Sequence, residues 1–236
     1  TKALEQWLQL HHATVAAIFT EVPNNPVMQF VDLPELSRIA TKFNIPLVVD
    51  GTMGTPFNIE LLSFADIAIE SLTKFACGSS SLLMGGIVLR ANSTWAQTCK
   101  ELIHYYNEPP YYKEIEHLGA CITGYHHRVE IIARNTLEFN QYISSCKQVT
   151  QVYSAHSSSS YANFCKIRQS EQSMPGVVSV VFDKPLSHYY DRLMLPKGPS
   201  LGNSFTLAMA YFYVAHWDVL KKDGGRQELR ISIGME

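Results

Sequence analysis

A lysine that follows a strand end, with two hydroxyls just before it, is the first chemistry this sequence offers. Asp66-Ile-Ala-Ile-Glu-Ser-Leu-Thr-Lys74 places Ser71, Thr73 and Lys74 directly after an apolar run. Behind them lie the small-residue segment Cys77-Gly-Ser-Ser-Ser81 and the pair Gly85-Gly86, where backbone N–H groups can approach an anion closely. One connection upstream, the run Ile45–Val49 ends on Asp50. Neighbouring strands of an α/β sheet open their carboxyl ends onto a shared crevice, so this amine and this carboxylate are placed to meet. Spacing alone leaves an equally good alternative, in which Asp50 caps the segment after it and Lys74 merely closes a loop.

Ser71-x-x-Lys74 also fits a serine nucleophile deprotonated by a lysine, with Tyr105-Tyr-Asn107 or Tyr161-Ala-Asn163 as a partner motif. That chemistry needs a K-T-G or K-S-G strand, which is absent, and a serine that opens a helix. The five cysteines are odd in number and widely spaced, without C-x-x-C, and the nine histidines show no H-x-x-x-H or H-E-x-x-H. No metal site is expected from those spacings, and reduced thiols point to a cytoplasmic protein. Neither G-x-G-x-x-G nor G-x-x-x-x-G-K-[ST] occurs, which removes the usual nucleotide fingerprints.

The elements that must position these residues follow from periodicity. Ala3–Leu10 reads as an amphipathic helix, Thr14–Phe19 as a buried strand, and Leu33–Phe43 as a helix capped by Asp32 with Pro34 in its first turn. Ile45–Val49, Asp66–Ile69 and Ile87–Leu89 read as short strands, with a short helix predicted at Ile59–Phe64. Short apolar runs joined through helices predict an α/β fold with a mainly parallel sheet. Helical patterns fill Trp95 to about Ser144. Strands are then expected at Val149–Tyr153, Val177–Phe182 and Glu228–Ile233, with a helix over Thr206–Leu220 and a loop or helix start at Ser157–Ser160. This second unit is α+β, and the join is expected within a long helix near Arg128–Arg134.

With 236 residues, 46% of them hydrophobic, the chain can bury a sizeable core. A net charge of -2 argues against a nucleic-acid partner, which needs a basic face. No apolar run of about 18 residues is present, so no helical membrane span is expected. The first residues lack a signal-peptide pattern, and Thr1 instead of Met suggests a piece of a longer polypeptide.

Five blocks in order resemble one enzyme family. They are Glu21-Val-Pro-Asn-Asn-Pro26 with Val31-Asp-Leu, Val48-Val-Asp50-Gly-Thr, Ser71-Leu-Thr-Lys74, Lys197-Gly-Pro-Ser-Leu-Gly202-Asn-Ser-Phe-Thr-Leu207, and Leu229-Arg-Ile-Ser-Ile-Gly-Met-Glu236. The sequence resembles the cystathionine γ-synthase group of pyridoxal-phosphate enzymes of cysteine and methionine metabolism, most of all the fungal-type synthases. The resemblance implies a fold-type I architecture, with residues 1–130 as the later part of the large cofactor domain and 131–236 as a smaller C-terminal domain.

The resemblance also assigns roles. Lys74 matches the lysine that holds pyridoxal 5'-phosphate covalently and then shuttles protons. Asp50 matches the carboxylate that keeps the pyridine nitrogen protonated. Ser71 and Thr73 match hydroxyls near the phosphate, and Asn25 an asparagine near the ring hydroxyl. Arg230 matches the arginine that grips the substrate α-carboxylate, with Ser200 supporting that contact. The implied reaction is γ-replacement, in which an O-acyl-L-homoserine loses its ester and cysteine adds to give cystathionine. Sulfhydrylation and cystathionine or methionine lysis use the same residues and are alternatives, as is a non-catalytic fragment or subunit that works only with a partner. Implied partners are small amino-acid substrates and further copies of the chain, as a homodimer or homotetramer. The family's aromatic stacking ring and phosphate cradle precede the position of Thr1, and its closing helix follows Glu236. The 236-residue chain alone is therefore expected to bind cofactor poorly.

Overall fold

In the computed structural model, residues 1–216, 218 and 228–236 are described. Two four-stranded sheets organise the chain. The first contains β1 (Ile18–Glu21), β2 (Leu47–Asp50), β3 (Ile67–Ser71) and β4 (Gly85–Leu89), hydrogen-bonded in that order. The β1–β2 and β2–β3 pairs are parallel, with Glu21 opposite Asp50 and Asp50 opposite Ile69; β3–β4 is antiparallel. The sheet is thus mixed and mostly parallel, as the α/β pattern predicts.

Helices α1 (Lys2–His11) and α2 (Leu33–Lys42) lie where apolar periodicity puts them. Asp32 caps α2, its carboxylate accepting from Glu35 N at 3.4 Å, with Pro34 in the first turn where no N–H is needed. Leu33, Leu36 and Ala40 on the inner face of α2 join Leu47 and Val49 of β2 in one apolar cluster.

The helical middle resolves into α3 (Ala96–Tyr106), α4 (Tyr112–Ile122) and the long α5 (Tyr125–Ser145). The inner face of α5 serves several clusters. Tyr125, Val129 and Ile132 pack with Phe75; Ala133 packs beneath the first sheet, and Ile143 under the second. Ser160 stands just before the short α6 (Tyr161–Cys165), its hydroxyl accepting from Phe30 N at 2.7 Å and not from the helix.

The second sheet is antiparallel throughout, ordered β5 (Val149–Tyr153), β6 (Val177–Phe182), β8 (Leu229–Ser232), β7 (Leu207–Ala210), with the short α7 (Ser187–Tyr190) between β6 and β7. Val177–Val180 and all of β8 are buried, consistent with central strands.

Three sequence expectations need correction. The strand predicted over Thr14–Phe19 begins only at Ile18, because His12–Thr14 form a 3-10 turn that closes α1. Ile59–Phe64 forms no helix. Ile59 bridges to Arg168 and Glu60 N donates to Ile167 O at 2.7 Å, so pairing with a distant segment replaces a run too short to nucleate. Within Thr206–Leu220, Leu207–Ala210 is the strand β7 and Tyr211–Ala215 the helix α8; 217, 219 and 220 lie outside the described residues. Leu-Ala-Met-Ala prefers helix intrinsically, but pairing with β8, Leu207 opposite Ser232, overrides that preference.

Candidate active site

The segment after β3 turns sharply. Lys74 N donates to Ser71 O at 3.1 Å, Cys77 N to Leu72 O at 3.0 Å and Gly78 N to Lys74 O at 2.8 Å. Thr73 ties this coil to the start of β4, its hydroxyl accepting from Met84 N at 3.2 Å and donating to Met84 O at 3.5 Å. Phe75, almost wholly buried, anchors the coil against α5. Arg128 of α5 donates to Ala76 O at 2.7 Å and to Phe75 O at 3.1 Å. Ser71 therefore ends a strand and does not open a helix, which removes the structural context a serine–lysine nucleophile requires.

On that coil the Lys74 side chain reaches across to the second unit. Its Nζ donates to Ser200 Oγ at 3.3 Å. Ser200 Oγ is also 2.7 Å from Ser80 Oγ, whose hydroxyl donates to Asn203 Oδ1 at 2.8 Å. Burial holds the Lys74 ammonium below the usual lysine range, and the positive charge of Arg230 pushes it further down.

Arg230, in the middle of β8, is 3% exposed. Its Nη2 donates to Ser200 O at 2.8 Å and Pro199 O at 2.9 Å, and Nη1 to Asn25 Oδ1 at 3.4 Å. The guanidinium carbon lies 5.0 Å from the centre of the Tyr211 ring. Its Nε is buried with no hydrogen-bond partner among the described residues. A buried, unpaired donor beside a cationic network is costly on its own and is satisfied when an anion arrives.

Lys74, Ser200, Arg230 and Asn25 thus form one connected chain of contacts drawn from both units. Asp50 and Ser71 sit beside each other at the ends of β2 and β3. Thr52 joins them, donating its N–H to Asp50 Oδ1 at 2.8 Å and accepting from Ser71 N at 2.8 Å through Oγ1. No side-chain hydrogen bond joins Asp50, Ser71 or Thr73 to Lys74, Ser200, Arg230 or Asn25 among the described residues; the link from Ser71 to Lys74 is the backbone one.

Several contributors were not singled out from sequence. Ser80 lay in an undifferentiated serine run, Asn203 carried no local signal, and Arg128 read as one charge on a long helix. Glu70 pairs with the Tyr125 hydroxyl. Burial pushes this carboxyl above the usual range, the tyrosine hydrogen bond opposes that, and the charge of Asp50 adds to it. Nothing in the spacing of Glu70 and Tyr125 marks them as partners.

Solved structures share this architecture. Cystathionine γ-synthase from Xanthomonas oryzae pv. oryzae, in complex with cystathionine, superposes with a TM-score of 0.87 at 20% identity, covering 100% of this chain and 62% of that one. Cystathionine γ-lyase from yeast gives 0.86 at 21% identity, covering 99% of this chain and 63% of the other. These likenesses define the fold: fold-type I, as in that group of enzymes.

Across residues 1–236 the sequence matches the family described as Cys/Met metabolism PLP-dependent enzyme, and the chain belongs to that family. Pyridoxal 5'-phosphate is the family's cofactor. A curated relative from Streptantibioticus cattleyicolor, named L-2-amino-4-chloropent-4-enoate dechlorinase/desaturase, is 33% identical over 99% of this chain and 49% of its own length. The cystathionine γ-synthase of Neurospora crassa is 30% identical over 93% of this chain and 37% of its own length. The chain thus spans about half or less of the length of these relatives.

Proposed function

We propose that this chain carries the lysine, carboxylate and arginine of an enzyme that replaces the γ-substituent of an O-acyl-L-homoserine with the thiol of L-cysteine, giving cystathionine. The observation that carries the reading is the Lys74–Ser200–Arg230–Asn25 chain: a half-buried amine beside a buried guanidinium that keeps an unpaired N–H.

The residues fit pyridoxal phosphate. A lysine with a depressed pKa is the amine that an aldehyde needs, and a strand-end carboxylate at Asp50 suits a protonated ring nitrogen. Ser71 and Thr73 would hold the phosphate, and Asn25 the ring hydroxyl. When bound, the cofactor supplies an electron sink for negative charge developing on the substrate carbons. Lys74 accepts the proton from Cα, and Ser200 fixes its amine through a hydrogen bond. Arg230 orients the substrate through its α-carboxylate, an ion-pairing task helped by exclusion of water from β8. We assign residues 1–130 to the cofactor domain and 131–236 to the smaller one, in a homodimer or homotetramer acting on amino-acid substrates.

The 33% identical relative with a dechlorinase/desaturase name supports a second reading, elimination at the same carbon with no thiol added. Product analysis separates the two. The protein with pyridoxal phosphate is given O-acetyl- or O-succinyl-L-homoserine with cysteine, with sulfide, or alone, and products are identified by mass spectrometry. Cystathionine formed only with cysteine supports replacement, whereas a keto acid formed equally without thiol supports elimination. Lys74→Ala should abolish borohydride fixation of the cofactor and lower turnover by at least about 100-fold, the lower bound for a positioned proton-transfer group. Turnover that survives that change sinks both readings.

A further inference from the structure

We propose that Cys77, His117 and Cys121 form a site for a thiophilic divalent cation, Zn²⁺ by its chemistry, on the outer side of the lysine coil. His117 and Cys121 stand one turn apart on the same face of α4, and Cys77 comes from the coil after Lys74. The sulfur, nitrogen and sulfur donor atoms all lie within 4.8 Å of one another.

The geometry suits one ion. Tetrahedral zinc, with Zn–S of about 2.3 Å and Zn–N of about 2.0 Å, sets its donors roughly 3.5–3.8 Å apart. Cys121 Sγ and His117 Nε2 already stand 3.7 Å apart. The Ser81 hydroxyl lies 2.5 Å from His117 Nε2 and 3.6 Å from Cys77 Sγ, so the three donors enclose a polar centre and not a packed apolar one. Two thiolates and an imidazole are a zinc donor set with one coordination position open. Cys77 is buried, Cys121 half-buried and His117 exposed, so the site has a floor and an entrance.

The consequence is mechanical. The ion would pin α4 to the coil 77–81, whose Ser80 holds the Ser200 hydroxyl that takes the Lys74 hydrogen bond. The proposal is independent of which reaction Lys74 serves. Spacings within the cysteines and within the histidines predict no metal site, because His117-x-x-x-Cys121 mixes the two types and Cys77 joins only in three dimensions.

The test uses the full chain, reduced and stripped of metal, titrated with Co²⁺ and then Zn²⁺. We expect one equivalent of Co²⁺ to give thiolate charge-transfer and tetrahedral d–d bands, displaced by Zn²⁺. Zn²⁺ should also raise Tm, as any ligand specific for the native state does. Cys77→Ser, Cys121→Ser and His117→Gln should each weaken binding by roughly 100-fold or more, beyond the 10–100-fold that loss of an outer-shell partner costs. Cys165→Ser, an exposed thiol elsewhere, should leave it unchanged. If Cys77→Ser fails to fold, the two α4 variants decide. Cobalt bands that persist in Cys121→Ser and His117→Gln overturn the site. So does a reduced protein that binds neither ion yet closes a Cys77–Cys121 disulfide in air.

Discussion

Replacing Arg230 with lysine keeps the charge and removes the fork, and the structure gives the size of the effect. Arg230 spends Nη2 on the carbonyls of Pro199 and Ser200 at 2.9 and 2.8 Å, and Nη1 reaches Asn25 at 3.4 Å. Nε has no partner among the described residues, and Nη1 has only the long contact with Asn25 to give up to a ligand. A lysine ammonium has three donors on one atom; with two spent on the carbonyls, one is left for a carboxylate, where the guanidinium fork can offer two. At least one charged hydrogen bond to the substrate is then lost, worth about 1.5–3 kcal/mol. At 1.4 kcal/mol per tenfold, that is roughly 10- to 150-fold in substrate affinity. Titration of the cofactor-loaded protein with substrate, followed in the visible spectrum, reads this directly, and KM against kcat separates binding from chemistry. Arg230→Lys should raise KM by that factor while leaving borohydride fixation at Lys74 intact. An unchanged KM would refute the assignment of Arg230 to the substrate, since the same change must still disturb a residue 3% exposed.

The other predictions follow from packing and charge. Gly202 has φ +77°, and an added Cβ would lie 2.6 Å from Phe75 N and 2.9 Å from Lys74 C. Gly202→Ala should therefore cost about 2–5 kcal/mol, combining left-handed strain of about 1–2 with overpacking of about 1–3, and should show as a lower urea midpoint. Asp66 accepts from Leu47 N at 2.9 Å, Arg90 Nη2 at 2.5 Å and Ser93 Oγ at 2.7 Å. Asp66→Asn should lose about 3 kcal/mol, the low end for a broken buried pair because Arg90 keeps some exposure; denaturation unchanged within error would contradict this. Glu70 has its folded pKa raised above the unfolded value near 4.5, so its contribution is full below that value and is lost as pH rises through the folded pKa. Wild-type stability minus that of Glu70→Gln should fall with rising pH across that window and level off above it, and a flat difference would reject the shift.

Much of the scaffold was legible because its signals are local. Asp32-Leu-Pro wrote the start of α2, and the β-branched run Val177–Val181 wrote β6. Leu207–Ala210 misled because its helix-forming residues become a strand only through β8. The site divides along the same line. The types and order of Asp50, Ser71, Thr73 and Lys74 are visible in one segment, but their contacts are not. Lys74 meets Ser200, Gly202 backs onto Phe75, and Ser204 N donates to Gly78 O at 2.7 Å, all across long separations. Asn25, Ser200 and Arg230 carried no signal of their own from spacing and were reached only through the family resemblance. His117 and Cys121 stand four residues apart in the sequence, but only the fold brings Cys77 to them.

The charges around Lys74 link substrate binding to the lysine's basicity. In the free site burial and then Arg230 hold the Lys74 pKa below the usual lysine range, which shifts the balance toward the neutral form that attacks an aldehyde. Burial also disfavours the charge on Arg230, and its contacts with Pro199 and Ser200 are to neutral carbonyls, so no carboxylate cancels its field at Lys74. A substrate carboxylate on Arg230 would supply that cancellation. The part of the Lys74 shift that comes from Arg230 would then be relieved. On the roles proposed above, that relief would favour proton uptake by the amine once substrate is bound. Placing the arginine on a central strand of one sheet and the lysine at the strand end of the other achieves this with one shared residue, Ser200. Its hydroxyl positions the amine and its carbonyl positions the guanidinium.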